Sequence, residues 1–141
     1  MVLGRSWRAI VAFVIVAVSL VTACRESPSA PSDVPLGEPF ELRIGESAVL
    51  PGDLKVTFNR VVFDSRCPID AVCVAAGEAR LALRLSVGSE APVERDVRVD
   101  STDPEVPFSS YTIRALGLMP YPRSDRAPRP EEFVATFRVT R

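Results

Sequence analysis

The stretch ARLALRLSV, residues 79–87, decides the fold because apolar and polar side chains alternate along it with a period of two. Arg80 and Arg84 would lie on one face of an extended strand. The opposite face would carry the apolar side chains of Ala79, Leu81, Leu83, Leu85 and Val87. This alternation is typical of a strand with one buried and one solvated face. The stretch therefore predicts a strand of an antiparallel sheet.

Similar alternation recurs through the rest of the chain. Apolar residues alternate with polar ones in the segments 40–44, 47–50, 54–58, 93–99, 111–115 and 133–139. The phase slips at Asn59-Arg60, which predicts a bulge. Turn residues are concentrated in 51–53, 88–92 and 100–107. We therefore predict an all-β chain forming a single antiparallel β-sandwich, immunoglobulin-like, with about seven strands; a small β-barrel is the alternative.

Composition excludes several classes of function. The chain has 141 residues, a formal net charge of −1 and no histidine. A weakly acidic chain offers no electrostatic basis for binding nucleic acid. Without histidine or any recognised catalytic motif, we predict that the protein is not an enzyme and needs no cofactor. Catalysis by carboxylates alone remains the third alternative.

The first residues have the layout of a secretory signal. Arg5 and Arg8 precede the apolar run 9–23, which ends in small residues. That run is shorter than the ~20 residues that a membrane-spanning helix needs. We therefore predict that residues 1–23 are a signal peptide that is cleaved.

The tetrapeptide VTAC, residues 21–24, resembles the bacterial lipobox. The resemblance implies that Cys24 is lipidated and becomes the mature N-terminus, which would attach the protein to a membrane without crossing it. An ordinary signal peptide with a chance cysteine is the alternative. Arg25 follows the cysteine in place of aspartate, which implies the outer membrane, on its periplasmic side, if the host is Gram-negative.

A proline- and serine-rich stretch follows the predicted anchor. Residues 24–37 contain little that can be buried, so they are expected to act as an extended tether. Residues 38–141 are then the β-sandwich domain, whose size suits a single core.

The segment DSRCPIDAVCVAAGEA, residues 64–79, contains Cys67 and Cys73. A zinc site would need further Cys or His ligands, which the domain lacks, and a redox site usually has the spacing C-x-x-C. Export would place the two cysteines in an oxidising environment, which favours a disulfide between them. The apolar residues 68–72 would then pack on the end of the sandwich.

Two polar groups are candidates for a binding surface. Asp64, Ser65 and Arg66 would lie at the base of the cysteine loop, where Asp64 could cap backbone N–H groups or pair with Arg66. Residues 120–130 contribute a second group, consisting of Arg123, Arg126 and Arg129. A cationic loop of this kind would meet anionic headgroups or an envelope protein, unless it is only a solvated connection.

Residues 64–79 also resemble a segment of small uncharacterised bacterial lipoproteins, in which D-S-R-C-P precedes a second cysteine, an A-G pair and a hydrophobic strand. The resemblance supports the disulfide and the extracytoplasmic location but implies no activity. No metal site is expected, since the acidic residues 100–105 lack the spacing of a calcium loop. We therefore expect a lipid-anchored binding or envelope-associated module, with a structural or protective envelope lipoprotein as the alternative.

Overall fold

The structure is a computed structural model that describes residues 34–102 and 104–141. The predicted signal peptide, the lipobox and Cys24 lie outside these residues. Within the described ranges, no helix is long and apolar enough to cross a membrane.

In the residues that the structure describes, eight strands form two antiparallel sheets. In chain order they are β1 Pro39–Arg43, β2 Ser47–Leu50, β3 Leu54–Asp64, β4 Ala79–Val87, β5 Val93–Val99, β6 Glu105–Phe108, β7 Tyr111–Met119 and β8 Val134–Thr140. One sheet has the order β1-β8-β7-β6 and the other β2-β3-β4-β5. A 3₁₀ turn, Pro130–Glu132, precedes β8. The predicted β-sandwich is confirmed, and the two sheets do not close into a barrel.

The core lies between the inner faces of the two sheets and follows the alternation of the sequence. In β4 the side chains of Leu81, Leu83 and Leu85 are fully buried. Phe137 of β8 links the sheets, since its ring centroid lies 6.0 Å from that of Phe58 on β3. Burial of these apolar side chains is the main favourable contribution to folding.

One strand lies where the sequence predicts a turn. The segment 100–107 contains the first residues of β6, which pairs with β7 through Val106 opposite Ile113 and Phe108 opposite Tyr111. Val106 and Phe108 are only partly buried against the core. Because β6 has four residues and includes Pro107, its alternation is too short to identify from the sequence.

Strand β3 is bulged and has an open edge. Its register with β4 shifts between Phe58 and Arg60, as predicted, and again between Val61 and Phe63. On the other side, β2 pairs only with residues 54–57. Residues 60–64 therefore pair with β4 alone and leave an edge with no strand beside it in the part of the chain that the structure describes.

The sandwich has two distinct ends. Gly37 donates from its N–H to the carbonyl of Val139 at 2.8 Å, so the chain leading into β1 lies where β8 ends. Val34, within the predicted tether, is buried in the core. The loop between β3 and β4 lies at the opposite end, which we call the lobe end.

Candidate functional site

The loop between β3 and β4 contains the predicted disulfide, and Cys67 and Cys73 are bonded with their Cα atoms 5.9 Å apart. Its two legs also pair, since Ser65 donates to the carbonyl of Glu78 at 2.9 Å and Cys67 to that of Ala76 at 2.8 Å. We call residues 67–76 the disulfide lobe. The lobe is thus closed by one covalent bond and, at its base, by backbone hydrogen bonds.

Gly77 is required where the lobe joins β4. Its φ is +70°, and a Cβ atom there would lie 1.9 Å from the carbonyl oxygen of Ser65. Both the backbone conformation and the close approach of the two legs therefore need glycine.

The side chain of Arg66 is buried beneath the lobe. Arg66 is only 3 % exposed, and its guanidinium binds Asp64 through two hydrogen bonds of 2.9 and 2.7 Å. It also donates to the carbonyl of Leu118, near the end of β7, and to that of Pro120, just beyond it. Burial tends to lower the pKa of Arg66, but the bonds to Asp64 outweigh it and the pKa is raised. Arg66 therefore stays charged and joins the end of β3 to the end of β7.

These contacts change the role that Asp64, Ser65 and Arg66, the first predicted binding group, can have. Asp64 both pairs with the guanidinium of Arg66 and accepts from its backbone N–H at 3.1 Å, so both predicted roles of Asp64 are observed. Ser65 bonds through its hydroxyl to the carbonyl of Glu78 at 3.0 Å. Because Arg66 is buried, it positions the lobe and does not present a charge to a partner.

A small aromatic contact completes the base of the lobe. The Tyr121 ring lies 4.3 Å from the guanidinium carbon of Arg66. Its hydroxyl donates to Asp100 at 2.8 Å, and this bond raises the pKa of Tyr121. Asp100 also lies 4.0 Å from Arg66, so a second carboxylate balances the buried cation.

The apolar side chains of the lobe point into solvent. Val72 and Val74 are fully exposed, and Ile69 is 69 % exposed. The prediction that residues 68–72 pack on the end of the sandwich is therefore wrong. The physical reason is that the guanidinium of Arg66 and its partners already occupy the space beneath the lobe.

The lobe is tied to the loop between β7 and β8. Asp70 accepts from the N–H of Ser124 at 2.8 Å and from its hydroxyl at 2.9 Å. The N–H of Ile69 donates to the carbonyl of Pro122 at 3.0 Å. The bonds from Ser124, followed by the charge of Arg123 at 3.7 Å, lower the pKa of Asp70. The fold thus brings together, at the lobe end, the two groups predicted from the sequence, which are residues 64–66 and the arginine-containing loop 120–130.

The three loop arginines are exposed, but each lies beside a carboxylate. Arg123 lies 3.5 Å from Asp125, in addition to its contact with Asp70. Arg126 and Arg129 both bind Glu132, at 2.6 and 3.2 Å. A bond from the Arg129 N–H, assisted by both arginines, lowers the pKa of Glu132. The loop therefore presents little unbalanced positive charge.

An apolar groove of about 310 Å³ lies beside the open edge of β3. It is lined by Ile44, Arg60, Val61, Asp64, Pro122, Ala127, Pro128, Pro130 and Phe133. Arg60 at its rim is held by Glu94 through bonds of 2.7 and 2.9 Å. Because Pro122 also accepts a hydrogen bond from the N–H of Ile69, the groove adjoins the disulfide lobe. The sequence contained no signal for this groove, which depends on residues from three segments that are distant along the chain.

In residues 34–102 and 104–141, no three His, Cys, Asp or Glu side chains are placed to hold a metal ion together. The chain matches no protein-family model, no curated protein and no solved structure.

Proposed function

We propose that this protein is a lipid-anchored, extracytoplasmic β-sandwich that binds a protein of the bacterial cell envelope through its lobe end. The exposure of Ile69, Val72 and Val74 on one crosslinked lobe carries the proposal. Aliphatic side chains grouped in this way on a soluble domain are typical of interaction sites.

The lobe is rigid enough to act as a preformed binding element. The disulfide, the Arg66 network and the bonds between Asp70 and Ser124 hold it from three directions. A segment that is already ordered loses little conformational entropy on binding, so more of its contact energy appears as affinity. Rigid scaffolds with functional loops are a common arrangement in β-sandwiches.

The groove indicates which part of a partner would bind. Its apolar lining could take an aliphatic side chain, while the unpaired backbone of residues 60–64 could pair with an extended segment. Addition of a strand to an open sheet edge is a recurring mode of peptide recognition, in which the backbone supplies affinity and pockets supply specificity.

Two features favour a protein over the anionic headgroups of a bilayer. Arg123, Arg126 and Arg129 each lie beside a carboxylate, which weakens attraction to anionic lipid. In addition, the chain leading to β1 lies at the end opposite the lobe. The eleven residues of β3 span ~36 Å at ~3.3 Å each, so a tether at Val34 leaves the lobe directed away from its own attachment point.

The proposal is tested by site-specific photo-crosslinking of the full-length protein in its host. A photoreactive residue at Val72 should give one saturable adduct, and the substitution V74D should abolish it without changing the melting temperature. The same probe at Val93, a partly exposed valine of β5, is the control and should give no such adduct. Equal labelling at both positions, or none at Val72, would contradict a specific partner and favour the structural envelope role.

The predicted lipid anchor is tested separately. C24S should remove the labelled acyl chains from the protein, because only the Cys24 sulfur is available for diacylation. Acyl chains that remain on C24S protein would refute the lipobox resemblance, while leaving the lobe end unaffected.

A further inference from the structure

Two arginines lie directly opposite each other on neighbouring strands, Arg80 on β4 and Arg98 on β5. Arg80 lies between the buried Ala79 and Leu81, so its side chain points to the solvated face of the sheet. Arg98, between buried valines, points to the same face. Opposed residues hold their Cβ atoms ~5 Å apart, so both guanidinium groups can reach one ligand. Like charges on directly opposed residues repel each other, and an anion between them would relieve that repulsion.

Much of the hydrogen-bonding capacity of this pair is unused. Arg80 forms no ion pair with another described residue, and its Nε–H is buried without an acceptor. Its guanidinium carbon lies 4.8 Å from the centroid of the Phe63 ring, which restricts the orientation of the side chain. Among the residues that the structure describes, Arg98 reaches a carboxylate only at 3.8 Å, through its Nε and Glu78. The two guanidinium groups are therefore oriented and still able to donate.

The arginines line a polar cleft of about 300 Å³, whose other walls are Asp96 and Glu105. Glu105 already accepts from Arg114 at 3.0 Å, so its charge is balanced outside the cleft. Asp96 precedes Arg98 by two residues in β5, so the two side chains lie on the same face of the sheet. A multiply charged anion would be repelled by the two acids, whereas a singly charged planar anion can pair with the arginines.

We propose that this cleft is a carboxylate-binding site, in which Arg80 and Arg98 hold the two carboxylate oxygens and Asp96 accepts a hydrogen bond from an N–H or O–H group on the carbon next to the carboxylate. Guanidinium groups match the geometry of a carboxylate through paired N–H donors. The ligand carboxylate would come either from a small organic acid or from the end of a polypeptide. The site lies on the face of β4 and β5 and is independent of the lobe end.

The site can be tested by following the Nε–H signals of arginine in NMR spectra of the full chain, held in detergent, during titration. The titrants are sodium acetate, an alanine tetrapeptide with a free carboxylate, the same peptide as its amide, inorganic phosphate and sodium chloride. Acetate should shift the signals of Arg80 and Arg98 saturably. R80Q should weaken this binding about tenfold, the effect of losing one charge-assisted hydrogen bond. R84Q, on the same face of β4, should bind as the wild type does.

Comparing the affinities for the peptide and for acetate distinguishes a polypeptide end from a small organic acid as the source of the carboxylate. Tighter binding of the free peptide than of acetate would indicate a polypeptide end, and equal binding a small acid; either result supports the site. The proposal is overturned if chloride reproduces the shifts, if phosphate binds more tightly than acetate, if the peptide amide binds as the acid does, or if R80Q binds as the wild type does.

Discussion

Replacing Arg66 by methionine should cost the domain much of its stability, because Arg66 is the buried centre of the lobe end. Methionine has a similar length, so the packing is largely kept while the charge and the donors are removed. The change leaves the side chain of Asp64, which is 12 % exposed, without its ion-pair partner. It also leaves the carbonyls of Leu118 and Pro120 without this donor.

The expected loss follows from this burial. Removing one member of a buried, hydrogen-bonded ion pair typically costs about 3 to 5 kcal/mol, because the remaining charge is left unpaired. Domains of this size are stable by about 5 to 15 kcal/mol, so the loss is a large share of the total. With a urea m-value of ~1.5 kcal/mol/M, the unfolding midpoint should fall by at least ~2 M.

A matched control is available in Arg60, whose guanidinium also binds one carboxylate, that of Glu94, through two hydrogen bonds, but whose side chain is 51 % exposed. Equilibrium urea unfolding at pH 7, with the disulfide intact, should show a much smaller loss for R60M than for R66M, because water screens the exposed pair. The double variant D64N/R66M should recover part of the loss, since no unpaired carboxylate remains. Equal losses for R60M and R66M would refute the reasoning from burial.

Three further predictions concern the lobe and can be checked on the same protein. C67S should lower the free energy of unfolding by about 2 kcal/mol, because the disulfide no longer restricts a seven-residue loop in the unfolded chain. An unchanged urea midpoint under oxidising conditions would contradict this. G77A should destabilise by about 1 to 3 kcal/mol, because its Cβ would meet the carbonyl of Ser65; a melting temperature equal to that of the wild type would show that the two legs can separate freely. The pKa of Asp70 is lowered in the folded state, so its contacts with Ser124 stabilise the protein fully above pH 3.8, the pKa of an ordinary aspartate. This stabilisation is lost as the pH falls through the lower pKa of the folded state, and the NMR signal of the Ser124 amide should then move towards its position in D70N. A Ser124 signal that is constant down to pH 2 would contradict this.

The strands and the disulfide differ in how well the sequence predicts them. The strand β4 was identifiable because the alternation of Leu81, Leu83 and Leu85 with arginines reflects a local geometric rule, the period of two in an extended chain. The disulfide was also predictable, since Cys67 and Cys73 lie close in sequence and no other ligand chemistry was available. Strand β6 was missed because four residues with a proline give no clear period.

The candidate surface was predicted less completely than the fold. The residues Asp64, Ser65 and Arg66 were selected for their polarity, but polarity does not distinguish an exposed arginine from a buried one whose guanidinium has acceptors on three residues. Likewise, Arg123 and Arg126 suggest a cationic loop until their contacts with Asp70 and Glu132 are known. The cross-strand opposition of Arg80 and Arg98 requires the register of β4 and β5, which no local pattern supplies.

The sequence by itself determined the all-β character and the disulfide, because both follow from residues that are near one another along the chain. It also predicts the signal peptide and the lipid anchor, which lie outside the described residues. Only the tertiary structure decided that Arg66 is buried, that Val72 and Val74 face solvent, and that a groove lies beside the open edge of β3. These features depend on contacts between segments more than 50 residues apart, such as that of Arg66 with Pro120. Such contacts exist only after the two sheets have packed, since it is the space left by that packing that determines which side chains are buried.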